Sequence, residues 1–378
     1  MKPRSIVIST NSAWNIFNFR RDLIASLRQI GYRIVALAPD DGYGARLAEL
    51  GTEFVPVSMD RSGVSPLGDL RLLARYHSLL ARIRPDVFLG YTIKPNIYGS
   101  IAAHVRGIPV INNVSGLGTA FMRPGLLAVI AASLYKRSFG RSRTVFFQNG
   151  DDRRLFLEKG IVRPEQARLL PGSGIDLRSF VPPASDASRG AGLSFLFVGR
   201  LLWDKGLREF VEAARIVRAD RPEIVFRILG FLDPNNRTAV SAAELQSWVD
   251  DGVIEYLGAS DDVRPYVAAA DCIVLPSYRE GLPRTLLEGA AMARPLIATD
   301  VPGCREVVED GINGYLCEVR NALSLAHVML KLIGLPPDKR DEMGQSGRRK
   351  VEAQFDQAIV IDSYLRAIEE ALTSGPFR

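Results

Sequence analysis

Residues 271–288, DCIVLPSYREGLPRTLLE, hold the side chains of this chain whose types and spacing could do chemistry together. The run reads as a buried strand over residues 272–275, a turn carrying Glu280 and Gly281, and a helix with Pro283 in its first turn and Glu288 about two turns in. Proline is tolerated there because the first helical N–H groups lack intrahelical acceptors, and those donors make a helix start an anion site. A diphosphate suits that place. Two carboxylates would repel it, so Glu280 and Glu288 are better matched to neutral hydroxyl groups. The combination describes a nucleotide diphosphate sugar, with one acid for the sugar and one for the ribose.

A second pattern lies upstream. The apolar run 195–198 is followed by Gly199, Arg200, Leu201, Leu202, Trp203, Asp204, Lys205 and Gly206. Gly199 allows close backbone approach, Arg200 presents a planar fork to phosphate oxygens, and Lys205 adds a mobile point charge. Together they could stabilise a departing diphosphate without a metal ion; taken alone they also fit an exposed basic loop. A nicotinamide-binding domain would need Gly-x-Gly-x-x-Gly directly after its first strand. Here that turn is Thr10-Asn11-Ser12-Ala13-Trp14, and Gly116-Leu117-Gly118 has Phe121 where the third glycine belongs.

Glu280 and Glu288, with seven residues between them, are followed by ARPLIATDVPG at 293–303 and DGING at 310–314. The whole run resembles the signature of the retaining glycosyltransferases of family 4, and Gly199-Arg200 with Lys205-Gly206 stands where that family has the same pattern. The resemblance implies that Arg200 and Lys205 act on the donor diphosphate, that Glu280 contacts the donor sugar, and that Glu288 binds the ribose hydroxyls. Backbone N–H groups around Gly281 and Leu282 would meet sugar or phosphate. It also implies front-face substitution through an oxocarbenium-like transition state, a UDP-sugar as substrate, and neither cofactor nor metal. Many members carry a histidine near the acceptor. His77, His104 and His327 read instead as surface or packing residues, which leaves the proton acceptor unassigned.

The elements that must position these residues alternate along the chain. Apolar runs at 5–9, 33–38, 54–57, 87–89, 109–112 and 144–147 are separated by helical stretches near 17–31, 43–50, 67–83, 96–106, 126–137 and 151–159. Alternation of this kind means crossover connections and a parallel, doubly wound sheet. Residues 170–192 are rich in Pro, Gly and Ser, the composition of a linker. A second series then begins, with strands at 194–198, 224–229, 254–257, 273–275 and 296–299. Its helices are expected near 207–220, 240–249, 284–293, 322–333 and 339–353. The expected fold class is therefore α/β: two Rossmann-like domains facing across a cleft, the GT-B arrangement of the resembled family. Residues 1–180 would bind the acceptor and 194–355 the nucleotide sugar, while 356–378 would form a helix crossing back to the first domain. Ligands bind such sheets at the carboxyl ends of their strands.

A chain of 378 residues is long enough for two such cores, and 47% apolar with 24% charged residues is ordinary for a globular protein. Cys272, Cys304 and Cys317 suggest neither a disulfide framework nor a metal site, so a reducing cytosol is inferred. The longest uncharged stretch, 107–122, is sixteen residues, and the apolar one at 124–135 is twelve, against the roughly 20 that span a bilayer. The net charge of +6 is unevenly spread, since residues 1–180 carry 25 Lys+Arg and 13 Asp+Glu. That field could attract a phosphorylated ligand, an anionic membrane face or nucleic acid. Nucleic acid is not expected, because no helix-turn-helix or sheet of aromatics interleaved with basic residues is present.

Asn11 and Ser12 follow the first strand, where the resembled family approaches donor phosphate and acceptor. Ser115, Gly116 and Gly118 would offer a backbone platform to acceptor or sugar. GYTIKPN at 90–96 and NNVSGLG at 112–118 most resemble bacterial enzymes that add N-acetylhexosamine or galactose to undecaprenyl-diphosphate sugars, the PglA-type N-acetylgalactosaminyltransferases among them. Lys94 is then a candidate for the acceptor diphosphate. The apolar stretch 121–143 with its basic end is either a core helix ending in surface charge or a segment resting on anionic lipid. The expectation is a cytoplasmic enzyme, peripheral at the inner face of the membrane, moving a hexose or N-acetylhexosamine from a UDP-sugar to a polyprenyl-diphosphate-linked saccharide for cell-surface polysaccharide, O-antigen or glycan. The alternatives are transfer to a soluble acceptor, a UDP-sugar epimerase, and a non-catalytic UDP-sugar-binding protein of the same fold.

Overall fold

Ile6, Val7 and Ile8 are all fully buried, yet they divide between two cores, Ile6 and Ile8 on one side of their strand and Val7 on the other. A strand covered on both faces reads as a continuous apolar run, and such strands belong to parallel sheets. The computed structural model describes residues 3–60, 65–116, 126–183, 193–234, 236 and 238–373. The chain divides into two units, Met1–Ser173 with Ala358–Arg378, and Gly174–Gln357.

The strands of the first unit are β1 (Ser5–Ser9), β2 (Arg33–Ala38), β3 (Glu53–Pro56), β4 (Val87–Tyr91), β5 (Val110–Val114), β6 (Thr144–Phe147) and β7 (Ala167–Leu169). Their order is β3-β2-β1-β4-β5-β6-β7, every pair parallel. In the second unit β8 (Ser194–Val198), β9 (Val225–Leu229), β10 (Glu255–Tyr256), β11 (Cys272–Leu275), β12 (Leu296–Thr299) and β13 (Gly314–Cys317) run in the order β10-β9-β8-β11-β12-β13, again all parallel. Winding therefore reverses between β1 and β4 in one sheet and between β8 and β11 in the other. Both reversals are pinned at the amino ends by one device. Asp86 Oδ2 accepts from the Ser5 backbone N–H at 2.7 Å, and Asp271 Oδ2 accepts from that of Ser194 at 2.8 Å.

Helix Ala13–Gln29 and the C-terminal helix Gln357–Thr373 cover one face of the first sheet, and helix Pro66–Ile83 covers the other. The first of these starts at Ala13, earlier than the expected 17, because Ser12 caps it by accepting the Asn15 N–H at 3.0 Å. The expected helix 96–106 begins instead as a π-helical turn, Pro95–Gly99, and continues as Ser100–Val105. Gly99 lies against the Phe88 ring, where an added Cβ would come within 2.4 Å of Cζ. Residues 174–180, expected in the first domain, belong to the second: Ile175 bridges to Asp356, and Ile175 and Phe180 join its core. Two strands escaped the sequence reading. β7 is three residues at a sheet edge, and β13 opens with Gly314, whose place in the ladder leaves only 2.0 Å between an added Cβ and the Leu296 carbonyl oxygen.

The C-terminal helix is tied to the first unit through Tyr364, fully buried with its ring 5.0 Å from that of Phe146 and its hydroxyl accepting from Asn113 Nδ2 at 2.9 Å. Tyr364→Ala is expected to cost about 3–5 kcal/mol in urea unfolding of the first unit, and Tyr364→Phe about 1 kcal/mol. A wild-type midpoint in the alanine variant would remove this helix from the core.

Candidate functional site

Because β8 and β11 are neighbours, the loops at their carboxyl ends, residues 199–206 and 276–283, lie side by side. The Tyr278 N–H donates to the Asp204 carbonyl at 2.9 Å, and Thr285 Oγ1 at the start of the following helix donates to the Val198 carbonyl at 3.1 Å. Gly206 follows a single 3-10 turn, Trp203–Lys205, with φ +75°, and an added Cβ would sit 2.0 Å from the Pro276 carbonyl oxygen. Only glycine meets both demands. A third loop closes in from β12. Gly303, φ +85°, lies so near that an added Cβ would be 2.5 Å from the Gly281 carbonyl oxygen, and Thr299 Oγ1 donates to the Ser277 carbonyl.

Within this frame Lys205 Nζ donates directly to Glu280 Oε1, so the sequence-predicted phosphate cation and sugar carboxylate are in contact. Ser277 Oγ donates to the same oxygen at 2.6 Å, while Glu280 Oε2 has no partner among the described residues. One oxygen orients the carboxylate and the other remains available to a hydroxyl. Arg200 Nη1 stands 3.5 Å from Asp233 Oδ2, with its side chain about half exposed at 49%. Gly199 is not itself crowded, as an added Cβ meets only the Phe197 ring at 3.5 Å. The close approach expected there occurs one strand over: at Gly230 an added Cβ would be 1.8 Å from the Gly199 carbonyl oxygen.

The helix after Glu280 runs Arg284–Ala291, with Pro283 at its N-cap and not in its first turn, in an extended conformation. Gly281 is buried and Leu282 half-buried just before it, Leu282 packing on the second unit's core. Glu288 is reached after about one and a half turns at 3.6 residues per turn. It is buried at 8% exposure and accepts from Arg284 Nε at 2.9 Å. Burial raises its pKa above the usual carboxylate range, and the Arg284 guanidinium opposes that shift.

In the first unit the expected residues sit at the carboxyl ends of β1, β4 and β5. Ser12 is occupied as a helix cap, and Asn11 beside it is half-buried with no side-chain hydrogen bond to a described residue. Lys94 Nζ, the candidate for the acceptor diphosphate, donates to Asp69 Oδ1 at 2.8 Å, so its charge is compensated. Ser115 Oγ donates to Asn113 Oδ1 at 3.0 Å, and Gly116 has φ +133°. Gly118 lies outside the described residues, as does 121–125 of the apolar stretch. Most of the rest of that stretch forms the helix Leu126–Phe139. Tyr135 and Phe139 are core residues, while Val129 and Ile130 are exposed on a helix that also exposes Lys136 and Arg137.

Sequence reasoning missed a buried polar cluster beneath these turns. Arg20 is 4% exposed, its guanidinium 4.3 Å from the centre of the Tyr91 ring, and its Nε has no hydrogen-bond partner among the described residues. Asn112 holds Asn96 Oδ1 at 2.9 Å and Ser142 Oγ at 2.7 Å, and the Asn96 side chain donates to the Asn113 carbonyl at 2.8 Å. The signal was present: Arg20 occupies the apolar face that Ile16, Leu23, Ile24 and Leu27 define, where a charge is out of pattern. His104 binds the Ser138 carbonyl at 2.7 Å, and burial lowers its pKa. His77 and His327 are exposed on helices.

Residues 192–334 match the family described as Glycosyl transferases group 1, and residues 18–173 match the Glycosyl transferase 4-like domain. The chain is 26% identical over 374 residues to the N,N'-diacetylbacillosaminyl-diphospho-undecaprenol alpha-1,3-N-acetylgalactosaminyltransferase of Campylobacter jejuni, covering 95% of this chain and 96% of that protein. It is 25% identical over 286 residues to the UDP-Gal:alpha-D-GlcNAc-diphosphoundecaprenol alpha-1,3-galactosyltransferase of Escherichia coli, 71% of this chain and 72% of the relative. Among solved structures, Anabaena Alr3699/HepE in complex with UDP and glucose agrees with a TM-score of 0.80 at 17% identity, over 96% of this chain and 99% of that one. That agreement is one of fold.

Gly206→Ala is expected to destabilise the second unit far more than Gly252→Ala, a glycine of similar φ, +65°, with nothing within 4 Å of an added Cβ. Both substitutions place a side chain in the left-handed region at about 1–2 kcal/mol, so equal losses in thermal unfolding would refute the close packing of the two loops. Glu288 gives a pH signature. With its folded pKa raised, the stability of the neutral form is complete below the ordinary carboxylate value and is lost as pH rises through the raised one. Glu288→Gln should thus match wild type near the acid end and gain on it toward neutrality in urea unfolding; a constant difference across that window would contradict the burial.

Proposed function

The chain belongs to the glycosyltransferases of group 1, and on that premise we propose that it is a retaining, metal-independent enzyme of family 4. It transfers a hexose or N-acetylhexosamine from a UDP-sugar to a saccharide carried on a polyprenyl diphosphate. The observation that carries the donor half of this reading is the meeting of Arg200, Lys205, Glu280 and the helix Arg284–Ala291 at the carboxyl ends of β8 and β11, where winding reverses. Relatives whose printed names specify diphospho-undecaprenol acceptors support the acceptor half.

Each group has a task. Arg200 and Lys205 neutralise the diphosphate as it leaves, with the helix-start amides near Gly281 and Leu282 adding donors. Glu280 Oε2 accepts from a donor-sugar hydroxyl, and Glu288 accepts from the ribose. The C1–O bond to the diphosphate breaks first, an oxocarbenium-like transition state forms, and the acceptor hydroxyl enters on the face the diphosphate leaves. A departing phosphate oxygen takes the acceptor proton, so no histidine is required. Fixed charges aimed at the developing phosphate charge supply most of the acceleration. On the acceptor side, Asn11 and Ser12 are assigned to the approach of donor phosphate and acceptor, Ser115, Gly116 and Gly118 to a backbone platform for acceptor or sugar, and Lys94 to the neighbourhood of the acceptor diphosphate. No described helix is long and apolar enough to cross a membrane. The exposed Val129 and Ile130, with Lys136 and Arg137, suit peripheral contact with the cytoplasmic face of an anionic bilayer.

Incubation with a panel of UDP-sugars and bacterial membrane lipid is expected to give UDP release that depends on the lipid, and a product of retained anomeric configuration by NMR. Release indifferent to the lipid would remove the acceptor assignment, and an inverted product would remove the mechanism. Lys205→Ala and Glu288→Ala should each weaken UDP binding about tenfold or more, the loss of one hydrogen bond to a charged group, whereas Lys94→Ala should leave it unchanged.

A further inference from the structure

A cavity of about 450 Å³ opens in the first unit at the carboxyl ends of β2 and β3, with Lys94, just past β4, in its wall. That volume is typical of a small-molecule site. Its charged lining is two-sided. Asp40 and Asp60 come from the strand ends, while Arg71 and Arg75 come from helix Pro66–Ile83. The cations differ in how they are satisfied. Lys94 is held by Asp69 at 2.8 Å, Arg75 donates to the uncharged Ser58 carbonyl at 2.8 Å, and Arg71 makes no hydrogen bond or ion pair to a described residue. Arg71 and Arg75 are one turn apart on the same helix face, an i,i+4 like-charge pair that weakens a helix. Both side chains are exposed, and an anion between the two would offset that repulsion.

The turn before Arg71 supplies a second observation. Leu67 and Leu70 are exposed at 70% and 63%, among the most exposed large apolar residues described, and Ile93 beside Lys94 is exposed at 39%. Two guanidinium groups without an ion-pair partner among the described residues, next to a greasy helix start, match an amphiphile whose diphosphate joins an apolar tail to a sugar. Carboxylates across the cavity suit sugar hydroxyls and reject phosphate, which fixes the orientation.

We propose that this cavity is the acceptor subsite, in which Arg71 and Arg75 grip the diphosphate of a polyprenyl-linked saccharide, Asp40 and Asp60 receive its sugar hydroxyls, and Leu67, Leu70 and Ile93 meet the start of its isoprenoid chain. The assignment rests on the acceptor class proposed above and names residues for it that the sequence did not single out. Lys94, already paired, lines the wall and keeps Asp69 away from the ligand's charge.

Farnesyl diphosphate and inorganic pyrophosphate, titrated into the full chain with UDP held at saturation, test it. Arg71→Gln with Arg75→Gln is expected to weaken farnesyl diphosphate binding about tenfold or more, two charge-assisted bonds being lost, with the Kd for UDP unchanged. Leu67→Ser with Leu70→Ser should weaken farnesyl diphosphate severalfold and leave pyrophosphate unaffected. Farnesyl diphosphate binding that survives the arginine changes, or UDP binding that falls with it, would overturn the subsite. Pyrophosphate binding as tightly as farnesyl diphosphate, with no effect of the leucine changes, would make the cavity a free-phosphate site and overturn the lipid-linked class. Failure of the wild-type chain to bind UDP or transfer sugar would instead strike the enzyme assignment, a result readable separately from the arginine and leucine variants.

Discussion

Two carboxylates at the feet of the sheets set the geometry on which everything else depends. Asp86 takes the Ser5 N–H and Asp271 takes the Ser194 N–H, and Ser5 Oγ and Ser194 Oγ reach the same carboxylate oxygens. Each pair joins the two strands between which winding changes direction, β1 with β4 and β8 with β11. At such a reversal the connections after adjacent strands diverge to opposite faces, and a crevice is left at the carboxyl ends. Fixing register at the foot fixes which residues flank that crevice, since a slip of one position would turn every inward side chain outward. Arg200, Lys205, Glu280 and Gly281 are placed by β8 and β11 before any of them makes a contact of its own.

What the crevice of the second unit then needs is rigidity without bulk. Gly206 against Pro276, Gly303 against Gly281 and Gly230 against Gly199 bring backbone onto backbone at three points around it. Side chains at those positions would push the loops apart, and Lys205 would no longer reach Glu280. The pairing matters because a charge already oriented by a neighbour needs little reorganisation when phosphate charge develops beside it. Glu288 shows the opposite side of the same economy. Its burial destabilises the ionised form, so the fold carries it at a cost, as is common for residues kept for binding.

The parallel sheets were legible because strands buried on both faces leave apolar runs, and the donor loops were legible because glycines and charges cluster after two of those runs. β7 and β13 were not, the first because Ala167-Arg168-Leu169 is too short and too polar at a sheet edge, the second because Gly314 reads as a turn. Residue types announced Lys205 and Glu280 but not their contact, which depends on strand order. Lys94 announced a cation but not Asp69, a partner 25 positions away across a helix start. The Arg20 cluster was readable in principle as a charge on an apolar face. Its companion Tyr364 was not, because only folding brings residue 364 to residue 113.

The two units hold their cations in different ways, and the difference has a physical consequence. Arg200 and Lys205 each face a carboxylate, Asp233 and Glu280, so the diphosphate proposed to bind there would exchange one anion for another and gain mainly in orientation. Arg71 and Arg75 contact no carboxylate among the described residues, with Asp40 and Asp60 lining the far side of their cavity, and the diphosphate proposed to lie between them would relieve a repulsion as it binds. Paired charges select and align; unpaired ones attract from further away, within the roughly 8–10 Å that physiological salt leaves unscreened. A nucleotide sugar whose anomeric carbon must be aimed needs the first arrangement. The lipid-linked acceptor proposed for the first unit would need the second, and the surplus of 25 basic over 13 acidic residues in positions 1–180 would extend that pull over the whole first half of the chain.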